Sequence, residues 1–404
     1  MTFLYSFGVL VYSLIIRCLS IVNPKAKLWY HGRKHLDLEG LKKFKGCILI
    51  QCSSLGEFEQ GKPLINAIRE KYPHKSIVLS FFSPSGYEPK KNIDIVDKVI
   101  YLPIDTKRKA KEFTRVLEPE MAFFIKYDFW PNLYNALKVL DCKIYLVSAI
   151  FRPNQVFFKW YGGWYRRTLK LVDYFFIQNE TSKQLLESIN ITNFEITGDT
   201  RFDQVLSIQS ESFDDKIINT FINPNDNIVV AGSTWVQDEK LLIKCIEKYP
   251  NWKWIIAPHE ITNSHIKEIT QLFTNINISF YSKGIQDINP NSQVLVVDTI
   301  GILKYLYRYA NIAYVGGGFG KGIHNTLEPA VYGIPVLFGP KHQKFQEAQD
   351  LLLEQIGHEV NEDNIMSIFN SIQQLEKREL IRNKTKNYIA KQKGAITKIM
   401  NYLT

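Results

Sequence analysis

The stretch that most restricts what this chain can fold into is Val315–Pro340, VGGGFGKGIHNTLEPAVYGIPVLFGP. Ala310–Val315 reads as a buried strand, and glycines follow at 316, 317, 318, 320 and 322. Thr326–Val331 then has the composition of a helix start, with Pro329 tolerated in a first turn. A strand, a glycine loop and a helix N-terminus make an anion site, because side chains are absent where N–H groups and the helix dipole converge. His324 and Asn325 sit at that junction, and Glu328 lies just inside the helix, where a carboxylate accepts from a ribose. Gly333–Pro340 continues as a turn, a short strand at Val336–Phe338 and a second turn. GGGFG is neither a Walker motif nor a dinucleotide fingerprint, so an ordinary glycine-rich connection is an equal reading of spacing alone.

Strands alternate with helical segments on both sides of residue 206, which implies two doubly wound α/β domains facing a cleft. The expected division is an N-terminal helix at 1–24, domains at 30–205 and 206–380, and a last helix at 381–404 returning to the first domain. The 404 residues are enough for two such cores. A net charge of +10 favours anionic partners, and no nucleic-acid motif accompanies it. Five scattered cysteines without CxxC spacing fit reduced thiols and no structural zinc.

In the first half, Gly46–Cys52 is an apolar run of the kind that forms a parallel strand, and Phe58–Lys71 has helical spacing. SSLGE at 53–57 therefore places Glu57 at the carboxyl end of a sheet, where open α/β folds bind ligands. A favourable first-turn acid is the competing explanation. Further strands are expected at Ser76–Phe82, Val99–Leu102, Met121–Ile125, Cys142–Ser148 and Tyr174–Gln178, the last closing this half. Met121–Ile125 leads into KYDFWPN at 126–132. Ala149–Lys170 interleaves aromatics with Arg152, Lys159, Arg166, Arg167 and Lys170, as suits a lipid headgroup region or an aromatic core with solvated cations. In the second half Ile228–Ala231 precedes Gly232-Ser233-Thr234-Trp235, a second candidate phosphate-binding end. Trp254–Ala257 precedes Pro258-His259-Glu260, and Val294–Val297 precedes Asp298-Thr299-Ile300-Gly301-Ile302. Gln209–Asn227 reads as the connector, and 349–404 as helices.

The pattern GGG-x-x-x-G-x-HN-x-LEPA-x-x-G-x-PVLFGP resembles the C-terminal signature of the Kdo (3-deoxy-D-manno-octulosonic acid) transferases of lipopolysaccharide synthesis. S-x-GE at 54–57 resembles their N-terminal hallmark. The resemblance implies a GT-B glycosyltransferase that moves Kdo from CMP-Kdo to a lipid A precursor, with inversion and without a metal or other cofactor. It makes Glu57 the general base and places Ser54, Gly56, Asp128, Trp130 and Arg152 with the acceptor. It places Ser233, Thr234, Pro258, His259, Gly301, Gly317, Gly318, His324, Asn325 and Glu328 with the donor. The chain departs from the pattern at Lys126, where the family has Glu, at Trp235, where it has His, and at Ile302, where it has Glu.

Residues 1–16 carry no charged side chain, and Arg17 interrupts a run that ends at Asn23-Pro24. About 20 apolar residues are needed to cross a bilayer, so residues 2–22 are of borderline length; they are read as a membrane anchor that spans or lies on the bilayer, with a helix packed on the first domain as the rival. Lys25, Lys27, Arg33 and Lys34 follow, which favours the cytoplasmic face of the inner membrane. No obligatory protein partner is implied. The rival readings are a sugar-nucleotide epimerase of related fold and a non-catalytic lipid-binding protein.

Overall fold

The computed structural model describes residues 2–403, with the side chains of residues 4–403. It divides into two compact units, residues 1–204 with 392–404, and residues 205–391.

The first unit is a seven-stranded sheet of β1 (Ile48–Cys52), β2 (Ile77–Phe81), β3 (Lys98–Tyr101), β4 (Met121–Ile125), β5 (Lys143–Ala149), β6 (Tyr174–Ile177) and β7 (Phe194–Ile196), ordered 3-2-1-4-5-6-7. Every pairing is parallel. Parallel strands need helical crossovers on both faces, which is why β1, ILIQC, is buried at all five residues. One apolar cluster (Leu49, Val78, Phe124, Leu146) lies on one face and another (Ile48, Ile50, Phe123, Val147) on the other. The second unit repeats the design with β8 (Asn227–Thr234), β9 (Trp252–Pro258), β10 (Ile278–Phe280), β11 (Val294–Val296), β12 (Ile312–Val315), β13 (Val336–Phe338) and β14 (Gly357–Glu359), ordered 10-11-9-8-12-13-14.

Several expectations are corrected. β7, β10 and β14 were not foreseen. They are three-residue edge strands, and GHE in β14 carries no apolar run to announce it. The 349–404 stretch is thus not wholly helical, and Tyr174–Ile177 does not close its sheet. The expected connector at 209–227 lies within the second unit and is partly helical, at Lys216–Phe221. The returning segment is shorter than 381–404. The helix Leu375–Gln392 belongs almost wholly to the second unit, and only residues 392–404 join the first. Asp203 fixes that return by accepting from the N–H groups of Gly394 (2.8 Å) and Ile396 (2.9 Å). Ile399 then enters the core of the first unit, and Tyr402 stacks on Tyr174.

The N-terminus forms α1 (Thr2–Leu19) and α2 (Pro24–Lys34). α1 lies on the first unit: the Tyr5 hydroxyl donates to Asp105 (2.8 Å), Asn132 donates to Ser6 (3.3 Å), and Tyr12 packs on Trp29 and Phe82. Among the described residues no helix is long and apolar enough to cross a membrane, which corrects a spanning reading of residues 2–22. Arg33 is not part of a basic surface. It is 7 % exposed, lies over the Trp29 ring at 3.9 Å, and donates to the carbonyl oxygen of Phe82 (2.6 Å). Burial lowers its pKa to about 9, despite the opposing effect of nearby Tyr101 and Tyr12. In the 149–170 stretch Phe151 and Phe157 are core, as the aromatic-core reading expects, whereas Trp160 is 91 % exposed.

Candidate active site

In each unit the strand order reverses beside the first strand, the point at whose carboxyl edge open α/β sheets bind ligands. In the first unit the reversal lies between β1 and β4. The chain leaves β1 through Ser53 and Ser54 into a helix, Leu55–Lys71, with Glu57 in its first turn. The helix begins three residues earlier than its apolar spacing implies, and the partial positive charge of its N-terminus favours the Glu57 carboxylate. Ser54 is the N-cap by backbone geometry, yet its hydroxyl makes no cap bond. It donates to Glu57 Oε2 at 2.6 Å, which orients the carboxylate. Gly56 is exposed, and a Cβ there would meet only Ser54 Oγ, at 3.9 Å, so the approach to Glu57 is open.

From β4 the chain turns through Lys126, which holds a left-handed φ of 72° while its N–H donates to the Val147 carbonyl (2.7 Å). That turn brings Asp128 under the β1 loop. Asp128 is 7 % exposed and accepts from Ser53 Oγ and from Gln51 Nε2 (3.1 Å). Burial pushes its pKa up to about 7; the Glu57 charge adds to the rise and the Ser53 and Gln51 hydrogen bonds oppose it. The indole nitrogen of Trp130 is buried without a hydrogen bond and favours the charged form of Asp128. Tyr127, 41 % exposed, lies within the electrostatic reach of Glu57, Arg152, Asp128 and Arg201, so these four groups share one edge. Arg152 is exposed. Glu59, two residues along the same helix, pairs with Lys90 (3.0 Å) and accepts from Gln204 (2.9 Å), which gives it a structural role.

In the second unit the reversal lies between β8 and β12. Two expectations change here. Thr234 is wholly buried and belongs to β8, and its hydroxyl donates to Glu239 (2.8 Å), which also pairs with His265 (3.0 Å). The Thr234 hydroxyl is therefore committed to supporting the loop from beneath. The helix after the glycine loop is a single turn, Leu327–Ala330, so it supplies local N–H groups and little macrodipole. Ser233 has a left-handed φ of 55°, and its carbonyl oxygen sits 2.2 Å from where a Cβ on Gly316 would stand. Gly318 packs equally closely on the Gly339 backbone. Asp238 was missed by sequence reasoning, yet it fixes the loop: it accepts from the N–H groups of Gly317 and Trp235 (both 2.9 Å) and from the Tyr314 hydroxyl (2.5 Å). The Gly317 N–H is thus committed internally. Asn325 is also engaged, donating to Glu328 (3.0 Å) and accepting from the Leu327 N–H (3.1 Å).

Above that loop lies a stack no spacing revealed. Trp235, after β8, stands 4.9 Å from the ring of His259, after β9, and His259 stacks on His324, after β12, at 4.2 Å. The Trp235 indole N–H donates to His324 Nε2 at 3.4 Å. Burial, with help from His259, lowers the His324 pKa to about 4. His324 is therefore neutral near pH 7, with Nε2 as acceptor and the proton on Nδ1. Pro258 ends β9 opposite Thr234. Gly301 lies in the exposed loop after β11 on the same edge, with a φ of 102°. Among the described residues no group of three His, Cys, Asp or Glu side chains is placed to hold a metal.

Comparison with known proteins agrees with this division. The profile described as 3-deoxy-D-manno-octulosonic-acid transferase (kdotransferase) matches residues 27–204. A 3-deoxy-D-manno-octulosonic acid transferase of Aquifex aeolicus is 28% identical over 363 residues, covering 88% of this chain and 94% of that protein. A bifunctional glycosyltransferase/methyltransferase of Fusobacterium nucleatum is 27% identical over 374 residues; the match covers 88% of this chain but only 56% of that longer protein. Among solved structures, a UDP-N-acetylglucosamine 2-epimerase from Listeria monocytogenes shares the two-unit fold at a TM-score of 0.59 and 12% identity, over 84% of this chain and 91% of its own. At that identity the likeness concerns the fold, of the GT-B kind, and not the reaction. The profile match lies in the first unit and the relatives' matches span most of the chain, so the chain is similar to 3-deoxy-D-manno-octulosonic acid transferases.

Proposed function

We propose that the protein is an inverting glycosyltransferase that moves Kdo from CMP-Kdo to a lipid A precursor in lipopolysaccharide synthesis. The observation that carries this reading is the pairing of Glu57 with a buried, partly protonated Asp128 at the first reversal point. Two carboxyl groups held in unlike environments divide acid and base roles. Asp128 keeps a proton near neutral pH, and Glu57, oriented by Ser54, accepts one. As the acceptor hydroxyl oxygen bonds to the anomeric carbon of Kdo, its proton passes to Glu57. The bond from that carbon to the CMP phosphate oxygen breaks, and CMP leaves with the electron pair. The glycine loop, Ser233 and the neutral His324, which presents Nδ1–H, meet the donor phosphate and stabilise the departing charge without a metal. Trp235 and His259 offer flat faces to the nucleotide, and Arg152 and Lys126 supply cations for acidic groups of the acceptor.

Membrane association through residues 2–22 is part of the proposal, in the interfacial form. Leu4, Phe7, Leu10, Leu14 and Ile15 of α1 are each more than half exposed, while Tyr5 and Ser6 bind inward. A helix that seats one face on the protein and leaves an apolar face outward suits the bilayer boundary, with Lys25, Lys27 and Lys34 beside it. The site of action would be the cytoplasmic face of the inner membrane.

The test is incubation of purified protein with CMP-Kdo and tetra-acylated lipid A precursor in EDTA, with mass spectrometry counting the Kdo units added. Product is expected. No product from folded protein, with conversion of a UDP-sugar instead, would favour an epimerase. Neither reaction, with retained lipid binding, would leave a non-catalytic protein.

A further inference from the structure

A cavity of about 260 Å³ lies beneath α1, walled by Tyr5, Gly8, Val9, Tyr12, Trp29, Phe82, Ile104, Asp105 and Trp130. Its polar wall groups are engaged: the Tyr5 hydroxyl meets Asp105, and Asp105 also accepts from the N–H groups of Asn132 (3.2 Å) and Leu133 (2.8 Å). Water filling this space would need two to four polar partners for each molecule, and among its described walls the unpaired groups are the indole N–H groups of Trp29 and Trp130. The space opens to the surface beside α1 and its walls are mainly aromatic and aliphatic, so it suits an apolar occupant. A helix, about 10 Å across, is too wide for a slot under a single helix; an unbranched hydrocarbon chain is not. The roof thins at Gly8, where a Cβ would meet nothing within 4 Å. Gly8 is flanked in sequence by Phe7 and, two residues on, Leu10, both on the exposed apolar face. The floor, Trp130, lies two residues from Asp128 and packs on Phe82 at 4.9 Å.

We infer that this cavity is an acyl-chain subsite: it takes one fatty-acyl chain of the acceptor from the bilayer side of α1 and so places the acceptor's sugar hydroxyl at Glu57. This rests on the acceptor assignment above and adds to it a hydrophobic recognition element next to the chemistry. The chain held would be the acceptor's own and not that of a membrane phospholipid, because the floor belongs to the loop that carries Asp128.

Gly8→Leu fills the cavity from its roof, and Gly8→Ala is a milder filling that also favours the helix. Both would be compared with wild type on tetra-acylated acceptor and on its chemically deacylated sugar phosphate. Gly8→Leu is expected to raise KM for the acylated acceptor about tenfold, the equivalent of losing about two buried methylenes. Values of kcat and of KM for CMP-Kdo should hold, as should activity on the deacylated acceptor, with Gly8→Ala in between. A KM change of equal size on both acceptors, or none on either, overturns the inference. So does a loss confined to binding of acceptor-free phospholipid vesicles, which would mean a phospholipid chain. Independently of any transfer, a dibrominated fatty acid should quench the fluorescence component that Trp130→Phe removes, and Gly8→Leu should abolish that quenching; unchanged quenching in Gly8→Leu also overturns it. If wild type transfers Kdo to neither acceptor, the proposed function fails while the quenching experiment still decides the cavity.

Discussion

The two units place their loops at the same point of the same topology and then use opposite chemistry. Each has a buried aspartate at its carboxyl edge whose pKa is raised by burial, Asp128 in the first unit and Asp238 in the second. Asp238 faces three donors, the Tyr314 hydroxyl and the N–H groups of Gly317 and Trp235. Its carboxylate is therefore spent on shaping a loop, and the surface above it is aromatic. Asp128 faces two donors and a second carboxylate, Glu57, so its protonation couples to a group that can meet substrate. What separates a structural acid from a reactive one is which neighbours share its burial. An edge with unlike carboxyl groups suits proton removal; an edge of N–H groups and aromatic rings suits an anionic leaving group.

The largest expected effect tests the first edge. Glu57→Gln keeps the shape and removes the base, and should lower kcat by 10²–10⁴-fold with little change in KM for CMP-Kdo. Equal activity would remove Glu57 from the chemistry and with it the contrast between the edges. Next is Gly316→Val in the second edge. Its Cβ would stand 2.2 Å from the Ser233 carbonyl oxygen. Displacing that loop should abolish measurable CMP binding by calorimetry and lower the melting temperature by several degrees. Trp235→Phe retains a ring against His259 and deletes the donor to His324. The lost hydrogen bond should weaken CMP about three- to tenfold, with circular dichroism unchanged; undiminished affinity would show that His324 needs no orienting partner.

The smallest effect concerns pH. The pKa of Asp128 in the folded protein, about 7, lies above the ordinary 3.8. The folded state thus keeps a proton that the unfolded chain has lost, which favours folding in acid. That advantage is lost as pH rises from about 4 through about 7. Asp128→Asn should therefore raise the melting temperature at pH 8 by about 2–4 °C and change it less at pH 5, as thermal scans would show. A larger gain at pH 5 than at pH 8 would reverse the assignment of its burial.

Much of the architecture was legible because parallel strands are buried on both faces and write themselves as apolar runs. β4 and β13 match the expected Met121–Ile125 and Val336–Phe338 residue for residue. Edge strands are short and half-covered, so FEI, ISF and GHE left no such trace. Ser54, Glu57 and the glycines were readable because a strand followed by small residues and a helix is local. Thr234 was misplaced for the converse reason: β8 runs three residues beyond its apolar stretch, and the extension turns that hydroxyl inward to Glu239.

The sequence by itself determined the two doubly wound units, the position of the glycine loop and the presence of a carboxylate at a helix start, because each depends on residues adjacent in the chain. Only the tertiary structure decided that burial raises the Asp128 pKa beside Glu57, that Trp235, His259 and His324 form one stack, and that α1 roofs a cavity ending at Trp130. These join residues 24 to 125 positions apart. Burial and charge coupling depend on distance in space, which no local pattern records.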